Sequence, residues 1–149
     1  MMLKSLVATA ALVATAHAAD VYYCKTNTNP REPIKIEQRW AEDAVRAGGT
    51  APTRSGYPHA FNGRSEGPSS AQLTFLGADL RCNERNPQLF EYPIMRGGAR
   101  YPSDRPHGTT PTPVRVVYLQ DGTTLCGVMT HVTEHKDGHG SGPFRVCDK

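Results

Sequence analysis

Four cysteines, Cys24, Cys82, Cys126 and Cys147, constrain this chain more than any other feature. They follow an N-terminus with one early positive charge at Lys4, a short apolar stretch, and the small-residue pattern Ala16-His17-Ala18. That order is the pattern of a secretory signal peptide cut after Ala18. The apolar run is well short of the roughly 20 residues that span a bilayer, so no membrane anchor is expected. Behind such a leader an even number of cysteines implies disulfides, and four allow three pairings. No Cys-x-x-Cys occurs, which argues against a zinc knuckle. The expected product is a secreted, extracellular, monomeric protein with residues 1–18 removed and residues 19–149 forming one domain. Loss of Lys4 lowers the formal net charge from +3 to +2, a mild balance that does not by itself establish a polyanionic partner.

The apolar patterning predicts an α+β fold with one amphipathic helix packed on a central antiparallel sheet, joined by long loops. Val21–Cys24 and Pro33–Ile36 are expected as short strands around an Asn/Pro-rich turn. Ile36, Trp40, Ala44 and Val45 recur at helical spacing, and Gly48-Gly49 closes the run, so a helix is expected from about 37 to 47. No good N-cap residue precedes it. Residues 48–70 and 96–113 are rich in Gly, Pro and Arg and should be loops; loops this long in a compact domain are usually functional. Residues 72–76, 89–94, 114–119, 125–132 and 144–147 have strand character, and a Gly-rich loop should precede the last.

Three ionisable residues, Glu91, Arg115 and His131, sit inside strands that are otherwise apolar. Burying a charged group costs several kcal/mol unless it is paired. Singly, each reads as an outward-facing strand residue. Together, a carboxylate, a guanidinium and an imidazole on neighbouring strands suit proton transfer beside a clamped phosphate. His131, His135 and His139 are spaced as zinc ligands would be on a helix, but residues 136–143 carry Gly138, Gly140, Gly142 and Pro143 and cannot sustain one. Neither a metal nor another cofactor is expected. The stretch from Gly56 to Gly67, with Tyr57, His59, Asn62, Arg64 and Glu66, reads alone as a surface turn.

Taken in order, Tyr57-Pro58-His59, Phe90-Glu91-Tyr92-Pro93-Ile94, Arg115-Val116-Val117-Tyr118, Gly127-Val128-Met129-Thr130-His131 and Phe144-x-x-Cys147 resemble the fungal guanyl- and purine-specific ribonucleases and their ribotoxin relatives. The likeness is greatest to the small hirsutellin-type ribotoxins, through Arg31-Glu32, Ser55-Gly56, Pro111-Thr112-Pro113 and Cys126-Gly127. Tyr57 departs from the hirsutellin pattern, which carries an acidic residue there. The resemblance implies a ribotoxin-like endoribonuclease that cleaves RNA through a 2′,3′-cyclic phosphate, with ribosomal RNA as the target and inhibition of translation as the result. It implies Glu91 as general base with His59 assisting, His131 as general acid, Arg115 and Tyr57 on the phosphate, and Phe144 shaping the pocket. Asn62 and Glu66 would belong to the base-recognition loop. Arg54, Arg64, Arg96, Arg100 and Arg105 would give the RNA backbone a positive surround. Two other outcomes stay open: a general extracellular guanyl- or purine-preferring ribonuclease, and a catalytically inactive secreted module that binds RNA or protein.

Two structural expectations follow. The cysteines should pair as Cys24–Cys147 and Cys82–Cys126. A simple two-residue turn at Asp121-Gly122 would set Arg115 opposite Val128 and turn His131 to the other face of the sheet. Catalysis needs both on one face, so a three-residue loop or a bulge near Asp121–Thr123 is expected, with Arg115 opposite Met129.

Overall fold

The computed structural model describes residues 20–106 and 108–149; the expected signal peptide lies outside them. A hairpin of β1 (Val21–Cys24) and β2 (Ile34–Glu37) leads directly into helix α1 (Gln38–Gly48). The remaining strands are β3 (His59–Phe61), β4 (Leu89–Pro93), β5 (Val114–Leu119), β6 (Leu125–Glu134) and β7 (Gly140–Val146). They form one antiparallel sheet in the order β3-β4-β5-β6-β7. Cys24 is bonded to Cys147 and Cys82 to Cys126, the expected pairs.

The helix lies close to the sheet because the stripe it buries is small: Ala41, Ala44, Val45 and Gly48. A Cβ on Gly48 would come within 2.5 Å of the Tyr118 hydroxyl and 3.0 Å of the Tyr92 ring, so only glycine allows this approach. As the sequence suggested, no side chain caps the helix start at Glu37. Its far end is held from the sheet: the Tyr118 hydroxyl donates to the Gly49 carbonyl at 2.7 Å. Gly49 there has φ +60°, a conformation that favours glycine.

Strand β5 is buried along its whole length, because the sheet is covered on both faces. Against α1 lie Tyr92, Val114, Val116, Tyr118 and Val128. On the opposite face Leu89, Val117, Leu119 and Met129 pack with Phe61, Phe75, Phe144 and the Cys82–Cys126 disulfide. Two-sided burial is why β5 reads as a near-continuous apolar run rather than an alternating one.

Three expectations about elements need correction. Residues 72–76 make only an isolated bridge, Arg64 to Gln72, instead of a strand. The Asn83 side chain takes the place of a partner strand for Phe75: its Oδ1 accepts from the Phe75 N–H at 2.8 Å and its Nδ2 donates to the Phe75 carbonyl at 2.9 Å. The segment 48–70, expected as loop, contains β3, whose three residues pair with β4. The last strand begins at Gly140 rather than Phe144, because β6 runs on to Glu134 and offers the glycines a ladder to join.

Candidate active site

Strand register gathers the ionisable residues. Glu91 stands opposite His59 on one side and Val117 on the other. Arg115 stands opposite Pro93 and Met129, and His131 opposite Phe144. Since side chains alternate, His59, Glu91, Arg115, His131 and Phe144 share the face away from α1. The expected pairing of Arg115 with Met129 therefore holds, but its cause lies elsewhere. Thr124 pairs back to Leu119 across a four-residue turn, which keeps the parity of a two-residue one. The shift comes between Tyr118–Leu125 and Val117–Gly127, where Cys126 is the extra residue. The bulge thus falls on the disulfide cysteine, beyond the turn at Asp121–Thr123, where the strand bends to meet Cys82.

Arg115 is 4% exposed and its guanidinium is almost fully committed. Nη1 donates to the carbonyls of Thr112 at 2.7 Å and Val114 at 3.0 Å, and Nη2 donates to the Tyr57 hydroxyl at 3.2 Å. Its Nε faces Glu91 Oε2 at 3.5 Å, and neither of those two buried atoms makes a hydrogen bond. The other carboxylate oxygen of Glu91 meets His59 Nδ1 at 3.0 Å. Tyr57 stacks on the His59 ring with centroids 3.9 Å apart and is boxed edge-on by Tyr92 and Tyr101. Its hydroxyl lies 3.2 Å from Thr110 Oγ1. Burial pushes the Tyr57 hydroxyl above its ordinary pKa, only partly offset by Arg115, so it remains a proton donor through the neutral range.

His131 closes the other end. Its Nδ1 donates to the Gly142 carbonyl at 2.7 Å, which leaves Nε2 as the nitrogen that exchanges a proton. Phe144 packs on its ring at 4.1 Å. Burial pushes the His131 pKa down and the positive charge of Arg115 adds to that, against the bond to Gly142. The backbone of β7 comes so near that a Cβ on Gly140 would lie 2.7 Å from the imidazole Cδ2.

These groups line an open cleft of about 520 Å³, together with Glu66, Thr110 and His139. A larger hollow of about 960 Å³ lies between α1 and residues 74–78, but none of His59, Glu91, Arg115 or His131 lines it. Of the two residues expected in a base-recognition loop, Glu66 reaches the cleft. Asn62 does not line it; its Oδ1 accepts from the Arg64 N–H at 3.1 Å and so shapes the turn. The arginines disperse. Arg64 donates to the Ser70 carbonyl at 2.9 Å, and Arg96 makes a two-pronged pair with Glu134, one arm at 2.8 Å. Arg54, Arg100 and Arg105 are exposed. The sequence points to neither Thr110 nor His139 at the cleft: Thr110 sits in a loop without periodicity, and the spacing of His139 suggests only a metal ligand. Among the described residues no three His, Cys, Asp or Glu side chains converge as a metal site would require.

One helix on an antiparallel sheet, with a carboxylate, an imidazole and a buried guanidinium on the face away from the helix, defines a class of small endoribonuclease. The chain belongs to the ribonuclease family, whose model matches residues 17–147. It is similar in structure to hirsutellin A from Hirsutella thompsonii, at 29% identity and TM-score 0.66, covering 86% of this chain and 98% of that one. Restrictocin, an Aspergillus ribotoxin, shares the fold at 20% identity and TM-score 0.67, covering 87% and 100%. So does the cytotoxic ribonuclease alpha-sarcin, at 21% identity and TM-score 0.64, covering 88% and 100%. No curated protein sequence matches the chain.

Proposed function

We propose that the chain is a secreted, single-domain, ribotoxin-like endoribonuclease that cleaves RNA by attack of the ribose 2′-hydroxyl on the adjacent phosphorus. The observation that carries this is the pair of buried, unbonded atoms, Arg115 Nε and Glu91 Oε2, facing each other beside an open cleft. They form an ion pair at 3.5 Å without hydrogen-bond geometry, which holds a carboxylate and a guanidinium side by side where a 2′-hydroxyl and its adjacent phosphate need one each. Glu91, steadied by His59, takes the 2′-hydroxyl proton. The 2′-oxygen bonds to phosphorus, and charge grows on the equatorial oxygens beside Arg115 and the Tyr57 hydroxyl. The bond from phosphorus to the 5′-oxygen breaks as His131 delivers its Nε2 proton to that oxygen. The products are a 2′,3′-cyclic phosphate and a free 5′-hydroxyl. A base and an acid at opposite ends, with fixed donors between, suit an in-line displacement. Every proton in this scheme moves through a side chain, so a chelator should leave the rate unchanged.

Glu66 at the cleft rim is suited to accept hydrogen bonds from a guanine N1–H and N2–H edge. The ribosomal target is favoured by the likeness to hirsutellin A, and by restrictocin having been captured with a 29-mer sarcin/ricin domain RNA analogue. A general ribonuclease is the second reading, favoured by the loop after the base-recognition segment. Between residues 67 and 90 the only charges are Asp79, Arg81, Glu84 and Arg85, which cancel, and Arg81 is paired with Asp79.

The test is turnover of a guanylyl dinucleoside phosphate with product analysis. Glu91→Gln and His131→Ala should each lower kcat/KM by about 10²–10⁴-fold. Both should keep the wild-type circular dichroism spectrum. Full activity in either variant, or a product lacking the cyclic phosphate, would remove the scheme.

A further inference from the structure

Beyond the catalytic groups, the turn joining β6 to β7 carries two imidazoles that the mechanism does not use. His135 and His139 stack with centroids 4.0 Å apart and planes 7° from parallel. Both are held in place. His135 Nε2 is 2.8 Å from Ser141 Oγ, and His139 Nδ1 is paired with the Asp137 carboxylate. The turn beneath them is closed by main-chain bonds, His135 N–H to His139 O and Gly138 N–H to His135 O, each 2.9 Å. His139 lines the cleft and His135 does not. His139 also precedes Gly140, whose backbone packs directly on the His131 ring. The stack therefore stands at the His131 end of the cleft.

We propose that the His135–His139 stack is a binding platform for the nucleobase of the leaving nucleoside, the one on the 3′ side of the cut. This rests on the assignment of His131 as the acid that protonates the departing 5′-oxygen, since that assignment puts the leaving nucleoside at this end. A flat ring, backed by a second ring and fixed by hydrogen bonds, loses little freedom when a base stacks on it. A base of any identity has a π-face to offer, so the platform adds affinity without sequence choice. A phosphate is a poorer occupant, because the Asp137 carboxylate is paired with His139 and the Glu66 carboxylate lines the same cleft.

The experiment compares two substrates that differ only in the leaving group: a guanylyl-(3′,5′)-nucleoside and guanosine 3′-(methyl phosphate). The readout is the ratio of their kcat/KM values. His139→Ala should lower that ratio about tenfold, the order expected for losing one base–aromatic stack. His139→Trp should restore it, whereas His139→Gln, which keeps a hydrogen-bonding group and loses the aromatic face, should not. An unchanged ratio in His139→Ala overturns the platform, as does rescue by Gln. The underlying assignment fails separately: if His131→Ala keeps full activity on both substrates, the acid is misplaced and the platform falls with it. If His131→Ala is inactive while the His139→Ala ratio is unchanged, the platform alone is wrong.

Discussion

At the scale of single residues, His131 has the environment that most directly sets a measurable property. Its imidazole is partly buried against Phe144 and lies within the field of Arg115, and both influences disfavour the charged form. As the proposed general acid, His131 would work only while protonated. With the free-enzyme pKa depressed below the ordinary histidine value of about 6.5, the alkaline limb of kcat/KM should fall below that pH. Activity is present below the limb and lost as pH rises through it. In the complex the phosphate's negative charge favours the imidazolium, so the limb of kcat should move upward relative to that of kcat/KM. Profiles of both constants from pH 4 to 8 check this; an alkaline limb of kcat/KM above 7 would contradict the burial argument. The sequence made these residues visible because an ionisable group within an apolar strand demands a reason. It could not show what each arginine meets. Arg96 looked free for RNA, but its partner Glu134 lies 38 positions away and becomes adjacent only when β6 runs past its expected end.

At the scale of elements, the position of His131, the proposed acid, depends on how β6 and β7 are joined. The bulge at Cys126 puts His131 on the same face as Arg115, and β7 then supplies both the Phe144 ring and the Gly142 carbonyl. Gly140 is the tightest point of that junction. A Cβ there would stand 2.8 Å from both His131 Cβ and the Pro113 Cα, neither of which is the flexible end of a side chain. Gly140→Ala should therefore cost about 1–3 kcal/mol of stability, the range for overpacking. It should also lower kcat at least tenfold by displacing His131, since catalytic geometry tolerates little misplacement. Denaturant unfolding and kcat measured on one preparation check both; wild-type kcat at reduced stability would show that the strand yields elsewhere. The parity of the hairpin was legible because faces alternate along a strand. The location of the bulge was not, because a turn of two residues and one of four leave the same parity. Nor was the loop that holds Phe75, where one asparagine side chain replaces a strand.

At the scale of the whole molecule, the question is what holds a large RNA. The positive charges that the sequence offered for this purpose are thinned by the fold. Arg64 is tied to the Ser70 carbonyl and Arg96 to Glu134, whereas Arg54, Arg100 and Arg105 remain exposed. Each phosphate contact steepens the salt dependence of binding, by about 0.7 log units per contact on single strands and 0.9 on duplex. Three such arginines predict a slope of about −2 to −3 for a large structured target. A dinucleoside phosphate, seated only in the cleft, should show a slope near zero. Replacing Arg54, Arg100 and Arg105 together by Gln should flatten the slope for intact ribosomes and leave dinucleotide turnover within about twofold of wild type, because none of the three lines the cleft. The same reaction run on ribosomes separates the two functional readings. A single dominant fragment of large-subunit RNA at the lowest active dose, lost steeply with salt, is the outcome for a ribosome-directed enzyme. A ladder of cuts with the shallow salt dependence of the dinucleotide is the outcome for a general ribonuclease, whose selectivity ends at the cleft.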